Sequence, residues 1–99
     1  MRKIGRPKKV RVLKSCPKIT QFSPRGKPGR PDEIELTLDE FEAIKLVDFE
    51  GLDQSAGAQT MEISRSSFGR ILRKARSILA DGLVNGKIIR ILGGNIRYR

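Results

Sequence analysis

Apolar residues recur at helical spacing in three stretches of the chain and alternate in a fourth. Between residues 65 and 79, Phe68, Ile71, Leu72, Ala75 and Leu79 follow one another at intervals of 3, 1, 3 and 4, so they share one helix face. Ser66, Ser67, Gly69, Arg70, Arg73, Lys74 and Ser77 fall mainly on the other face. Ser64 is the expected N-cap, and the helix is expected to run on through Leu83 and Val84 to a C-cap at Asn85-Gly86, with Gly82 permitting a bend.

Before it, Gln54 to Met61 reads as a short helix and Glu62-Ile63-Ser64 as a turn. This helix is weak by propensity, because Gly57 inside it costs about 1 kcal/mol relative to Ala. Its small residues Ser55, Ala56 and Ala58 permit a close helix crossing. Earlier still, Thr37 and Glu40 form a capping box, and Leu36 and Phe41 sit where a hydrophobic staple needs them. That helix is expected from Leu38 to about Glu50, stopping at Gly51. Its apolar band is broad, and Glu42, Lys45, Asp48 and Glu50 are left for the surface.

The stretch 87–99 alternates about Gly93-Gly94 and reads as a β-hairpin. That register places Ile89, Ile91, Ile96 and Tyr98 on one face, and Arg90, Arg97 and Arg99 with Ile88, Leu92 and Asn95 on the other. Residues 1–31 hold all five prolines and read as an extended arm, with Val10-Arg11-Val12 as a short strand. The organisation expected is thus a basic arm at 1–31, a helical body at 32–86 and a hairpin at 87–99.

Charge changes this picture from a fold to a partner. The net charge of +10 is unevenly laid out. Residues 1–31 carry eleven Lys/Arg and no acid, residues 32–62 ten acids and one Lys, and residues 63–99 nine bases and one acid. Two basic blocks around an acidic middle suit a polyanion gripped from both ends. A helix with short serines and Arg/Lys on its outer face suits a DNA major groove, where Ser allows close approach and Arg reaches guanine edges or phosphates. On this reading the face that carries Ser66, Ser67, Arg70, Arg73 and Lys74 meets DNA. Arg2, Lys3, Arg6, Lys8, Lys9 and Arg30 follow the backbone or an adjacent minor groove, and Arg90, Arg97 and Arg99 reach phosphates. Gly5-Arg6-Pro7 and Gly29-Arg30-Pro31 resemble the core of an AT-hook, but Ile4 and Pro28 stand where the hook has an Arg. Either version of the arm binds nucleic acid.

The chain has one cysteine and no histidine. An intrachain disulfide and a Cys/His zinc site are therefore excluded, and Cys16 is expected as a small, semi-buried filler. Without His the commonest general base is missing, so no catalysis, cofactor or metal is expected. No apolar run approaches a membrane span, and the basic N-terminus lacks the apolar segment of a signal peptide, so the expected compartment is the cytoplasm.

The run LTLDEFEAIKLVDFEGLDQSAGAQTMEISRSSFGRILRKARSILADGL resembles region 4 of bacterial sigma factors and the related LuxR-type helix-turn-helix. The features shared are the capped acidic first helix, Glu50-Gly51-Leu52, Ala58, Ile63-Ser64-Arg65 and the Arg-rich second helix of the motif, and the resemblance to sigma region 4 implies that Arg65, Ser66, Ser67, Arg70, Arg73 and Lys74 take the DNA-facing positions. The whole chain is still more similar to an uncharacterised family, domain of unknown function 134, through its blocks at 36–52, 64–76 and 83–94. That resemblance implies DNA binding and carries over no established activity. It departs from the helix-turn-helix pattern at Glu62, where Gly is frequent and φ > 0 is needed, and at Gly57, where a larger apolar residue is usual.

The resulting expectation is a mainly α, sigma region 4-like three-helix domain with a basic N-terminal arm and a small C-terminal β-hairpin. It would bind double-stranded DNA as a transcriptional regulator. A homodimer on a two-fold operator is expected, joined through the broad face of the first helix or through the hairpin. An RNA-binding or ribosome-associated protein, a non-specific architectural DNA binder, and a module contacting the transcription machinery are the other classes left open. Steep salt dependence and competition between duplex DNA and RNA separate them.

Overall fold

The structure is a computed structural model that describes residues 10–26 and 29–98. Three helices and five short strands are present among them. Strands β1 (Arg11–Leu13), β2 (Gln21–Phe22) and β3 (Glu33–Leu36) precede the helices α1 (Leu38–Ile44), α2 (Gln54–Thr60) and α3 (Arg65–Asn85). Strands β4 (Ile88–Ile91) and β5 (Ile96–Tyr98) follow.

The local signals at the helix ends are realised. Thr37 caps α1 with a full capping box, Ser64 caps α3 by accepting from the Ser67 amide, and Gly86 ends α3 with φ of 63°. α1 differs from the expected single α-helix. It widens after Ile44 into a π-helical turn over Lys45–Phe49, in which the Glu50 amide donates to the Lys45 carbonyl. Gly51, at φ of 82°, then turns the chain towards α2.

The expected hairpin at 87–99 is not formed. β4 is the central strand of a three-stranded sheet, antiparallel to β2 on one side and parallel to β3 on the other. Both of its hydrogen-bonding edges are therefore occupied, and β5 pairs instead with β1, in parallel, with Arg11 opposite Ile96 and Leu13 opposite Tyr98. Gly93 and Gly94, at φ of 76° and 101°, steer the chain over the start of α1 rather than back along β4. There the Leu38 amide donates to the Gly93 carbonyl, and a Cβ on Gly94 would lie 2.7 Å from Oδ1 of Asp39. A parallel pair cannot be joined by a tight turn, and the connection from β3 to β4 is the whole three-helix unit.

The core has two connected parts. Leu13, Ala43, Leu46, Ala58, Met61, Ile63, Phe68, Ile71 and Leu72 form one between the helices and β1. Leu36, Ala75, Ile89 and Ile91 form the other between α3 and the three-stranded sheet, and Leu38 and Ile44 pack against both. Val12 and Leu13, each 1% exposed, are thus part of the folded body. Their strand also explains why Glu42, expected on the surface, is only 1% exposed. β1 packs on that flank of α1, leaving the Glu42 carboxylate 3.6 Å from the Lys45 ammonium. Cys16, expected as a semi-buried filler, is exposed and donates a hydrogen bond to the Tyr98 hydroxyl at 2.9 Å.

Candidate nucleic-acid interface

α2, its turn and α3 build the candidate surface. The Asp53 carboxylate caps α2, accepting from the Ala56 amide at 2.8 Å. α2 then lies so close to α3 that a Cβ on Gly57 would meet Cζ of Phe68 at 2.5 Å. The residue without a side chain is what allows the crossing. After Met61 the chain reverses through Glu62, the only described non-glycine residue with positive φ, at 57°. The Ile63 amide donates to the Ala58 carbonyl and closes the turn. Glu62 therefore holds the left-handed conformation expected at this position, despite a side chain that disfavours it.

The first turns of α3 divide sharply by face. Phe68, Ile71, Leu72 and Ala75 are buried against the other helices. Ser64, Arg65, Ser66, Arg70, Arg73, Lys74 and Ser77 are exposed, and Ser67 is half-buried. Ser64 links the serines at the helix start: its Oγ donates to that of Ser67 at 3.0 Å and lies 3.4 Å from that of Ser66. Arg70 donates to Ser67 Oγ at 3.3 Å, which holds the guanidinium along the helix. Among the described residues no carboxylate lies within ion-pair distance of Arg65, Arg70, Arg73 or Lys74. Arg76 differs: it donates to both oxygens of Asp48, at 2.8 and 3.1 Å. That double hydrogen bond holds the Asp48 carboxyl below the usual aspartate value. Four cations of the helix thus lack a carboxylate partner among the described residues, and the fifth ties α3 to the end of the π turn.

The other expected contact residues are spread apart. Arg97 is in β5, 3.6 Å from the Glu62 carboxylate at the turn. Arg90 is in β4 and donates to Glu33 at 2.8 Å, across the sheet. The common basic face expected of a hairpin is therefore absent, because β4 and β5 belong to different sheets. Arg30 is exposed ahead of β3. Arg2, Lys3, Arg6, Lys8, Lys9 and Arg99 lie outside the described residues.

A relation that sequence reading missed is where the N-terminal segment enters the fold. The Val12 amide donates to the Met61 carbonyl at 3.1 Å, so β1 seats directly on the turn before α3. Nothing in the spacing of Val10-Arg11-Val12 points to that partner. Among the described residues no group of three His, Cys, Asp or Glu could hold a metal ion, and no helix is long and apolar enough to cross a membrane.

A family model described as "Protein of unknown function DUF134" matches residues 1–99. The chain belongs to the DUF134 family. It is 50% identical over 93 residues to a UPF0251 protein of Thermoanaerobacter pseudethanolicus, covering 93% of this chain and 79% of that one. A UPF0251 protein of Desulfosudis oleivorans is 50% identical over 91 residues, 91% of this chain and 66% of the relative. One from Prosthecochloris aestuarii is 45% identical over 96 residues, 96% and 62% of the two. No solved structure matches the chain.

Proposed function

We propose that this DUF134 protein is a sequence-specific binder of double-stranded DNA and acts as a transcriptional regulator in the cytoplasm, without catalysis. α2 and α3 serve as a helix-turn-helix of the sigma region 4 kind. Residues 65–76 of α3 enter the major groove, while the basic N-terminal segment follows the backbone or a neighbouring minor groove.

The observation that carries this reading is the face of α3 bearing Arg65, Ser66, Arg70, Arg73 and Lys74, exposed and, among the described residues, without acidic partners, on a helix whose opposite face is locked into the core. A basic face that merely met solvent would tolerate neighbouring carboxylates. Here the acids of the 32–62 block that approach cations bind Arg76, Arg90, Lys45, Arg11 and Arg97 instead. Rigid support matters because base readout needs side chains held in register with base edges. The seating of β1 on the Met61 carbonyl adds to the case, since it sets the first described strand of this basic segment beside the turn before α3.

Selection from randomised duplexes at near-physiological salt, with RNA as competitor, tests the proposal. Enrichment of a DNA motif is the expected result. Salt-sensitive binding without enrichment would replace it with an architectural role, and preferential capture by RNA with an RNA-directed one.

A further inference from the structure

The second half of α3 has no part in the reading above, yet it carries two of the most exposed apolar side chains in the described structure. Leu83 is 79% and Val84 81% exposed. Leu83 also lines a mainly apolar groove of about 240 Å³ with Phe22, Pro24, Gly82, Gly86 and Ile89, and with Ser23 and the stem of Lys87, whose ammonium is paired with Asp81. We propose that this end of α3, with the groove beside it, is the surface through which two copies of the chain pair about a two-fold axis.

Three observations select a second copy as the occupant. First, a two-fold contact needs a patch that is complementary to itself. An apolar ridge beside an apolar groove meets that condition, because each Leu83 ridge can enter the groove of the other copy. Second, residues 77–86 contain no Lys or Arg, and their one acid, Asp81, is neutralised by Lys87 at 2.9 Å. Two chains of net charge +10 can therefore meet here without confronting unpaired charges of one sign. Third, the span along the helix fits. Arg70 to Leu83 is roughly 20 Å at the α-helical rise, so two helices meeting at Leu83 hold their Arg70 residues at most about 40 Å apart. Half-sites one turn apart on a duplex are about 34–36 Å from centre to centre, and a modest inclination of the helices closes the difference. Only this third argument rests on the proposed DNA reading.

The test is sedimentation velocity of the full chain over a concentration series, without DNA. A reversible monomer–dimer equilibrium is expected. Leu83→Glu and Val84→Glu should each raise the dimer dissociation constant at least tenfold with the helical circular dichroism unchanged. Phe49→Glu, at a site 84% exposed on the π turn, should leave it unaltered. Leu83→Ser and Val84→Ser repeat the test with uncharged residues. A monomer at every concentration, or self-association untouched by all four substitutions at 83 and 84, would overturn the proposal. A duplex with one half-site separates this from the DNA reading. Wild type and Leu83→Glu should bind it equally, whereas loss of binding by wild type itself would count against DNA recognition and leave the sedimentation result standing.

Discussion

Gly57 and Phe68 meet where α2 crosses α3, and a Cβ on the glycine would lie 2.5 Å from the tip of the ring. Phe68 is fully buried, so its ring has nowhere to withdraw. Gly57→Ala would raise helix propensity by about 1 kcal/mol. Overpacking of this kind costs about 1–3 kcal/mol, and with backbone on one side and a locked ring on the other the overpacking wins. Urea denaturation should show a net loss of stability. Phe68→Leu alone should also destabilise, but the double variant should lose less than the sum, since the smaller side chain makes room for the methyl.

Glu62 offers the opposite sign. Its left-handed φ of 57° costs about 1–2 kcal/mol for a residue with a side chain. Glu62→Gly removes that cost, returns part of it as unfolded-chain entropy, and gives up the contact with Arg97 at 3.6 Å, which is exposed and worth little. The denaturation midpoint should rise, by up to about 1 kcal/mol of stability. The same change removes a negative charge beside the start of α3, so duplex affinity at low salt should increase.

Arg70→Ala and Arg73→Ala should each cost about 1–3 kcal/mol of specific DNA binding where the guanidinium makes a bidentate base contact. Both residues are exposed, so thermal stability should stay nearly constant. Deletion of residues 1–9 should act differently, weakening binding to many sequences alike and flattening the salt slope. Titrations of a selected and a scrambled duplex at several salt concentrations distinguish the two patterns.

The Arg76–Asp48 pair predicts a pH window. Its hydrogen bonds lower the folded-state value of the Asp48 carboxyl beneath that of the unfolded chain. A lowered carboxyl contributes stability above its unfolded value and loses it as pH falls through the folded one. Asp48→Asn should therefore be less stable than wild type at neutral pH. The difference should shrink below about pH 4 and vanish in stronger acid. The pair is about half exposed, so the effect is small and salt should reduce it further. A gap that persists unchanged into acid would show that packing, not charge, is responsible.

The helices were legible because their signals are short-range. Thr37 and Glu40 cap across three residues, Ser64 reaches the Ser67 amide, and Gly86 closes α3 with its own backbone. The left-handed turn at Glu62, at φ of 57°, was legible from its position between the two expected helices. The strands were not, because each depends on a distant partner: Ile34 lies opposite Ile89, and Val12 opposite Arg97. Alternation about Gly93-Gly94 is the pattern of a hairpin, and only knowledge that β2 and β3 occupy both edges of β4 removes it. Glu42 was misplaced for the same reason, since an amphipathic count cannot say that β1 will cover one flank of α1. At the candidate interface, the exposed face of α3 followed from periodicity. The commitments of Arg76 to Asp48 and of Arg97 to Glu62 are tertiary and left no local trace.

The pairing of Arg11 with Ile96 also sets an order of events during synthesis. The helices can form and pack as soon as residues 37–86 have left the ribosome. β1 must wait for β5, which is made some eighty residues after it, and closing so long a loop is slow. Until then Arg11 and Leu13 lack their partners Ile96 and Tyr98. The nascent protein therefore passes through a stage with its helices assembled and β1 without its partner strand. Proteases and chaperones would meet that stage first.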